Sequence, residues 1–192
     1  YINRYAFLFN EYIGNKYVYL PELSLRYTGQ KTFQFDNSHK TIALYLGGEN
    51  KEFRKYPDEY AVQLLRLLNR QGYNLLLIGD ENDNIKHTQY AEEARIDHLI
   101  NLTARTTIEG FINTIANVDL IITIDSSALH IAAAVKTPFI ALMGLSTSPT
   151  STILPKVPLG RILKIENNLI REEDYIRNIT PDLILKTISE LI

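Results

Sequence analysis

The sequence predicts an α/β fold, a Rossmann-like doubly wound parallel sheet, and two features carry the prediction. From Lys40 onward, short apolar runs alternate with amphipathic stretches of helical period, the signature of βαβ units. The apolar runs are also nearly continuous rather than alternating, so helices should cover both faces of the sheet.

The elements follow in order. Thr41–Leu46 is an apolar strand stopped by Gly47-Gly48. Pro57-Asp58-Glu59 opens a helix, because proline suits a first turn and the acidic pair favours the positive end of the helix dipole. Tyr60, Ala61, Leu64, Leu65 and Leu68 give that helix one apolar face, and Gly72 ends it. Asn74–Ile78 is a second strand, followed by the loop Gly79–Asn84 and a more polar helix to about Arg95. His98–Asn101 is a short third strand, and Ile108, Phe111, Ile112 and Ile115 mark the next helix. Asp119–Ile124 is the most strand-like segment, β-branched and almost wholly apolar. A short helix spans about Ser127 to Val135, and Pro138–Leu142 is the next strand. Thr180-Pro181-Asp182 reads as an N-cap with proline at the first helical position, leading a last helix with Leu183, Ile184, Ile188 and Leu191 on its apolar face.

Residues 1–40 differ from this body. They hold six of the twelve tyrosines and lack clear alternation, which predicts a helix from Asn3 to about Ile13 and then an extended linker. The chain opens on Tyr1 rather than methionine, which points to residues missing upstream. The expected division is thus 1–40 as hinge and end of a preceding domain, and 41–192 as one ligand-binding domain.

Composition narrows the function. Apolar residues make up 45% and charged residues 22%, ordinary for a globular protein able to bury a core. A net charge of -2 leaves no sequence-wide basic field for nucleic acid, and no run is long enough for a membrane span. There are no cysteines, and His39, His87, His98 and His130 do not stand at metal-ligand spacing, so no metal is expected. Without a secretory signal the expected location is the cytoplasm or its membrane face.

In an open parallel sheet the ligand sits beyond the carboxyl ends of the strands, so the loops there carry the chemistry. The strongest is Asp125-Ser126-Ser127-Ala128-Leu129-His130, where the most buried strand runs into a short helix. The first N–H groups of that helix, from Ser126, Ser127 and Ala128, suit a phosphate or diphosphate. The two serines add hydroxyls, His130 can bond a phosphate oxygen, and Asp125 can orient the donors or accept from a sugar hydroxyl. A plainer alternative stands beside this: Asp125 or Ser126 caps the helix, and His130 packs or faces water.

Gly47-Gly48-Glu49-Asn50 with Arg54 and Lys55 is the second loop. Paired glycines allow close approach of backbone to ligand, and the cations can stabilise a departing diphosphate, unless they are simply surface charges. The G-x-G-x-x-G spacing of dinucleotide folds is missing. In the acidic loop Gly79–Asn84, Asp83 is the candidate for a ribose diol. The Thr-rich loop Asn101–Thr107 could frame a base edge by backbone contacts.

Together these segments resemble the C-terminal domain of glycosyltransferase family nine, the heptosyltransferases of lipopolysaccharide core synthesis. The resemblance runs from about Thr41 to Pro149, and its most specific part is the strand Asp119–Ile124 with Asp125-Ser126-Ser127-Ala128-Leu129-His130-Ile131-Ala132-Ala133. This matches the family's D-S/T-G-x-x-H-x-A-A and continues through Pro138 to Gly144-Leu145-Ser146-Thr147-Ser148-Pro149. Arg54-Lys55-Tyr56-Pro57 resembles its K-R-W-P, and Asn101-Leu102-Thr103-Ala104 its N-L-x-G. The departures are Ser127 for glycine, Arg54 for lysine, Tyr56 for tryptophan and Ala104 for glycine.

The resemblance implies one half of a GT-B fold and an inverting, metal-independent transfer from an ADP-sugar, typically ADP-heptose, to a lipopolysaccharide acceptor. No further cofactor is implied. The general base would come from the protein's own N-terminal domain. By position, Ser126, Ser127 and His130 would bind the diphosphate, Asp125 would place sugar or loop, Arg54 and Lys55 would steady the leaving group, Asp83 would take the ribose, and Thr106 or its backbone would stand on the base side. Two other readings fit the same fold: a nucleotide-sugar epimerase half, which needs a pair of acid/base carboxylates in the cleft, and a non-catalytic nucleotide-binding module.

Overall fold

The computed structural model describes residues 24–36, 38–47, 55–144, 158–164 and 172–192. Six strands form one parallel sheet: β1 (Thr41–Tyr45), β2 (Asn74–Leu77), β3 (Leu99–Asn101), β4 (Leu120–Ile124), β5 (Phe139–Leu142) and β6 (Gly160–Leu163). Their order is β3-β2-β1-β4-β5-β6, so the chain winds outward in opposite directions from β1 and β4. Leu44 lies between Leu77 of β2 and Ile122 of β4, which fixes the central register. The winding reverses between β1 and β4, and the crevice beyond their carboxyl ends is where such sheets receive ligands.

Five helices cover the sheet among the described residues: α1 (Asp58–Arg70), α2 (Asn84–Ala94), α3 (Ile108–Ala116), α4 (Ser127–Val135) and α5 (Pro181–Ile188). α1 packs between α2 and α5, while α3 packs on α4. Both faces are therefore closed, and every residue of β1, β2, β4 and β5 is buried, as their unbroken apolar character predicts. The core centres on Ile42, Leu44, Leu76, Ile122 and Ile140, all fully buried. None of the helices among the described residues is long and apolar enough to cross a membrane.

Local chemistry accounts for most element boundaries. α1 buries Ala61, Val62, Leu64, Leu65 and Leu68, with Pro57 at its N-cap rather than inside the first turn. Gly72 follows in the left-handed region at φ 81° and donates its N–H to Asn69. Asp119 lies outside β4; its carboxylate accepts the Thr41 N–H at 2.8 Å and pins the start of β1. Thr180 caps α5 by accepting from Leu183 N–H, with Pro181 behind it, as the sequence predicts. The helix stops at Ile188, leaving Leu191 beyond its end.

Three features differ from the sequence reading or lie beyond it. β6 is a half-exposed edge strand that the sequence reading left unassigned; Gly160 meets Phe139 so closely that a Cβ there would come within 2.2 Å of the ring. The polar helix α2 buries His87, Tyr90 and Ala94. His87 is fully buried, with Nδ1 2.7 Å from Thr103 Oγ1 and no hydrogen-bond partner for Nε2. Finally, the extended segment 24–36 is strapped across α3. Asn113 accepts the Gly29 N–H and donates to Thr28, Thr32 pairs with Thr114, and Asn117 donates to the Gly29 carbonyl. The helix expected at Asn3–Ile13 lies outside the described residues.

Candidate functional site

Among the described residues, a larger and a smaller cavity open at the carboxyl end of the sheet, on either side of the loops that leave β1 and β2. The larger, about 500 Å³, lies over the β1/β4 switch point and touches the end of β1, the loops after β2 and β3 and the start of α4. Its apolar wall is made by Tyr45 from β1, Phe111 from α3 and Ile131 from α4, with Ile108 at the rim. Tyr45 and Phe111 meet edge to face at 6.2 Å, a geometry that holds both rings in place. Polar groups complete the lining: Asp80 and Glu81 after β2, Thr106 and Thr107 before α3, and Ser127 at the N-terminus of α4. An aromatic wall beside hydroxyls, carboxylates and a helix N-terminus suits a ligand with an apolar ring and an anionic part.

The turn entering α4 is built by its own hydroxyls. Ser126 is the N-cap, and its Oγ accepts the Ala128 N–H at 3.2 Å. The capping alternative is therefore realised, and the Ala128 N–H is engaged inside the turn. Ser127 takes ordinary helical backbone at a position where the family pattern has glycine; its side chain is exposed and faces the larger cavity. Asp125 and His130 are half-exposed, on the loop and about one turn into α4.

Asp83 is placed differently from the ribose role expected of it. It is buried, and its carboxylate accepts the Asp80 N–H at 3.2 Å while Asp80 accepts from Asn82 N–H at 2.8 Å. This reciprocal cap starts the helical turn that runs into α2. The same carboxylate is wedged between Gly47 and Gly79: a Cβ on Gly47 would fall 1.7 Å from Asp83 Oδ1, and one on Gly79 2.6 Å from Oδ2. The D-x-x-D spacing of Asp80 and Asp83 is the sequence signal for such a cap. Glu81, between them, is exposed and borders the larger cavity.

Gly47, Asp83 and Lys55 line the smaller cavity, about 250 Å³, with the first turn of α1 and with Arg177. Here Asp58 takes hydrogen bonds from Lys86 and Tyr90. Burial acts to raise the Asp58 carboxyl, but those two bonds together with the charges of Lys86 and Lys55 outweigh it and hold it below the usual carboxylate range. Arg177 pairs with Glu59 at 3.1 Å, tying the C-terminal segment to α1. Tyr56 is buried beneath and donates to the Ile179 carbonyl at 2.9 Å; burial pushes its phenol far above the ordinary range. Gly48, Asn50 and Arg54 lie outside the described residues.

The structure thus gathers Thr106 and Ser127 at the larger cavity, with Ser126 and Ala128 in the turn beside it, and separates Gly47, Lys55 and Asp83 from them. Tyr45, Asp80, Glu81, Ile108, Phe111 and Ile131 join the site without having been singled out from sequence. Tyr45 and Phe111 sit in runs that read simply as core.

Ala104, where the family pattern has glycine, has φ 59° and donates its N–H to the Gly79 carbonyl across the cavity floor. A left-handed non-glycine residue costs about 1–2 kcal/mol, partly offset by the lower unfolded-state entropy of alanine. Ala104→Gly is expected to raise unfolding stability by up to about 1 kcal/mol in urea denaturation. An unchanged or lowered midpoint would show that the backbone carries no strain here.

Comparison with known proteins bears on the family and the fold. The model of glycosyltransferase family 9 (heptosyltransferase) matches residues 1–173. The chain is 31% identical over 158 residues to lipooligosaccharide heptosyltransferase 2 of Haemophilus influenzae, covering 76% of this chain and 45% of that protein. Lipopolysaccharide heptosyltransferase 2 of Escherichia coli is 24% identical over 172 residues, covering 83% of this chain and 49% of that protein. The chain spans about half the length of the curated relatives it matches. Among solved structures, E. coli ADP-heptose lps heptosyltransferase II superposes with a TM-score of 0.74 at 23% identity, over 92% of this chain and 54% of that one. An E. coli heptosyltransferase with ADP-2-deoxy-2-fluoro heptose does so with a TM-score of 0.66 at 17% identity, over 95% and 53%.

Proposed function

Because the chain belongs to glycosyltransferase family 9, the heptosyltransferases, we propose that it is the donor-binding half of a GT-B glycosyltransferase that takes its sugar from an ADP-sugar. The sugar is heptose and the acceptor a lipopolysaccharide-type glycan, as the names of the relatives suggest. The carrying observation is the larger cavity, which sets an aromatic wall beside the N-terminus of α4 at the switch point of the sheet. Its volume lies within the usual range of small-molecule sites.

The base lies against Tyr45 and Phe111, with the Thr106 loop at its edge. Glu81 replaces Asp83 as the acceptor for the ribose diol, because Asp83 is committed to its cap and Glu81 borders the cavity. The diphosphate lies over the first turn of α4, held by Ser127, Ser126 and His130. Arg54 and Lys55 steady the charge that grows on the departing nucleoside diphosphate, and Asp125 orients the sugar or the loop. No metal is needed in this scheme, and transfer proceeds with inversion when a base from the partner domain deprotonates the acceptor. The enzyme works at the cytoplasmic face of the membrane, where its acceptor lies, and takes no nucleic-acid partner.

Calorimetric titration of the chain with ADP, UDP, GDP and CDP, first without metal and then with magnesium, tests this reading. The expected result is saturable, metal-independent binding of ADP, weakened about tenfold or more in His130→Ala, the usual worth of a hydrogen bond to a charged group. Binding of ADP that is indifferent to His130 would remove that residue from the site. Absence of binding by all four nucleotides would overturn donor binding by this half.

A further inference from the structure

We infer that Thr123, a fully buried residue one position before the end of β4, is a positioning residue for the anion-binding turn: its hydroxyl sets where the Ser126 hydroxyl points. The inference rests on the donor reading above and deepens it by one layer of residues. It follows from counting protons. A threonine hydroxyl has one proton and two lone pairs. Thr123 donates that proton to the Ile124 carbonyl at 3.0 Å. Its second contact, 2.9 Å to Ser126 Oγ, is then a bond that Ser126 donates. Ser126 also accepts the Ala128 N–H. In this arrangement the Ser126 proton points inward, and the turn shows an incoming phosphate a lone pair instead of a donor.

Both hydroxyls can rotate without moving a heavy atom. When Thr123 donates to Ser126 Oγ, the Ser126 proton is released toward the ligand. Ser126 Oγ then accepts from Thr123 and from Ala128 N–H while donating to the anion, so each bond polarises the next. The charge-assisted bond gained exceeds the neutral bond to Ile124 that is given up. Thr123 is 0% exposed, so no water can take over its part. Valine has the same shape but cannot donate. Its methyl would stand at the 2.9 Å separation now occupied by the hydrogen bond between the two hydroxyls, too close for carbon, and would turn Ser126 out of its rotamer.

The test is calorimetric titration of the 192-residue chain with ADP and with adenosine, for wild type, Thr123→Val, Thr123→Ser, Ser126→Gly and the Thr123→Val/Ser126→Gly double variant. Glycine is chosen at position 126 because it is nearly as good an N-cap as serine. Thr123→Val is expected to weaken ADP binding about tenfold and leave adenosine binding unchanged, while Thr123→Ser binds ADP like wild type. In the Ser126→Gly background, Thr123→Val is expected to remove no further ADP affinity. Equal ADP affinity of wild type and Thr123→Val overturns the inference while leaving the donor reading in place. So does an equal loss of ADP and adenosine, which is what a merely structural residue would give. If Thr123→Val does not fold, the Ser126→Gly and Thr123→Ser titrations decide: ADP affinity unchanged in the first or lost in the second overturns it. A wild-type chain that binds neither ligand overturns both.

Discussion

Gly47→Ala is expected to lower the unfolding free energy by about 3 kcal/mol, at the upper end for overpacking, because the new methyl has no space and its neighbour cannot yield. The Cβ would overlap Asp83 Oδ1, and Asp83 is itself buried, hemmed by Gly79 on its far side and bonded to the Asp80 N–H. Displacing that carboxylate breaks the reciprocal cap that starts the turn before α2. It also frees the Asp80-Glu81 loop that borders the larger cavity. Gly47 has no positive φ, so the effect is steric rather than a matter of backbone preference. Urea denaturation of a double-mutant cycle separates the two. In Asp83→Ala chains the same Gly47→Ala change is expected to cost less than about 1 kcal/mol, since the overlapping atoms are gone. A cost of similar size in both backgrounds would refute the clash.

Acidification is expected to remove about 3 kcal/mol of stability through one residue, His87. Burial drives its imidazole down to about 4, against the weaker opposing pull of Asp80. The unfolded chain titrates near the ordinary histidine value of about 6.5, so between that pH and 4 the unfolded state binds the extra proton. Stability is therefore full above about pH 6.5 and is lost as pH falls toward about 4. The physical cause is visible in the fold: Nδ1 is engaged with Thr103, Nε2 has no partner, and no water-facing route exists for a charge. Denaturant midpoints between pH 7 and 4.5 should fall steeply for wild type and less steeply for His87→Gln. Parallel slopes for the two chains would mean that His87 is not the source.

How much of this was legible in the residues depended on whether a signal was local. The strands β1, β4 and β5 announce themselves because a strand covered on both faces must be apolar throughout. β6 does not, because an edge strand tolerates Arg161, and its pairing rests on a glycine pressed against Phe139 far away in sequence. The loop Asp125–His130 was locatable, since a strand running directly into a helix leaves N–H groups without partners wherever the fold is parallel. Choosing among the acidic residues after β2 was harder: Asp80, Glu81 and Asp83 look alike until the D-x-x-D cap removes two of them from ligand duty. The apolar wall could not be read at all. Tyr45, Phe111 and Ile131 come from three elements, and each obeys the pattern of an ordinary core position.

The strap across α3 gives that helix a mechanical part to play. Its first turn walls the cavity through Ile108 and Phe111, and its last turns grip residues 28–32 through Asn113, Thr114 and Asn117. Nine residues of helix make a stiff rod of about 13 Å. A pull on residues 28–32 therefore arrives at one end of a rod whose other end walls the larger cavity. Any ligand held in the cavity and any tension in the strap would bear on the same helix, and an effect of one on the other would have to be reciprocal.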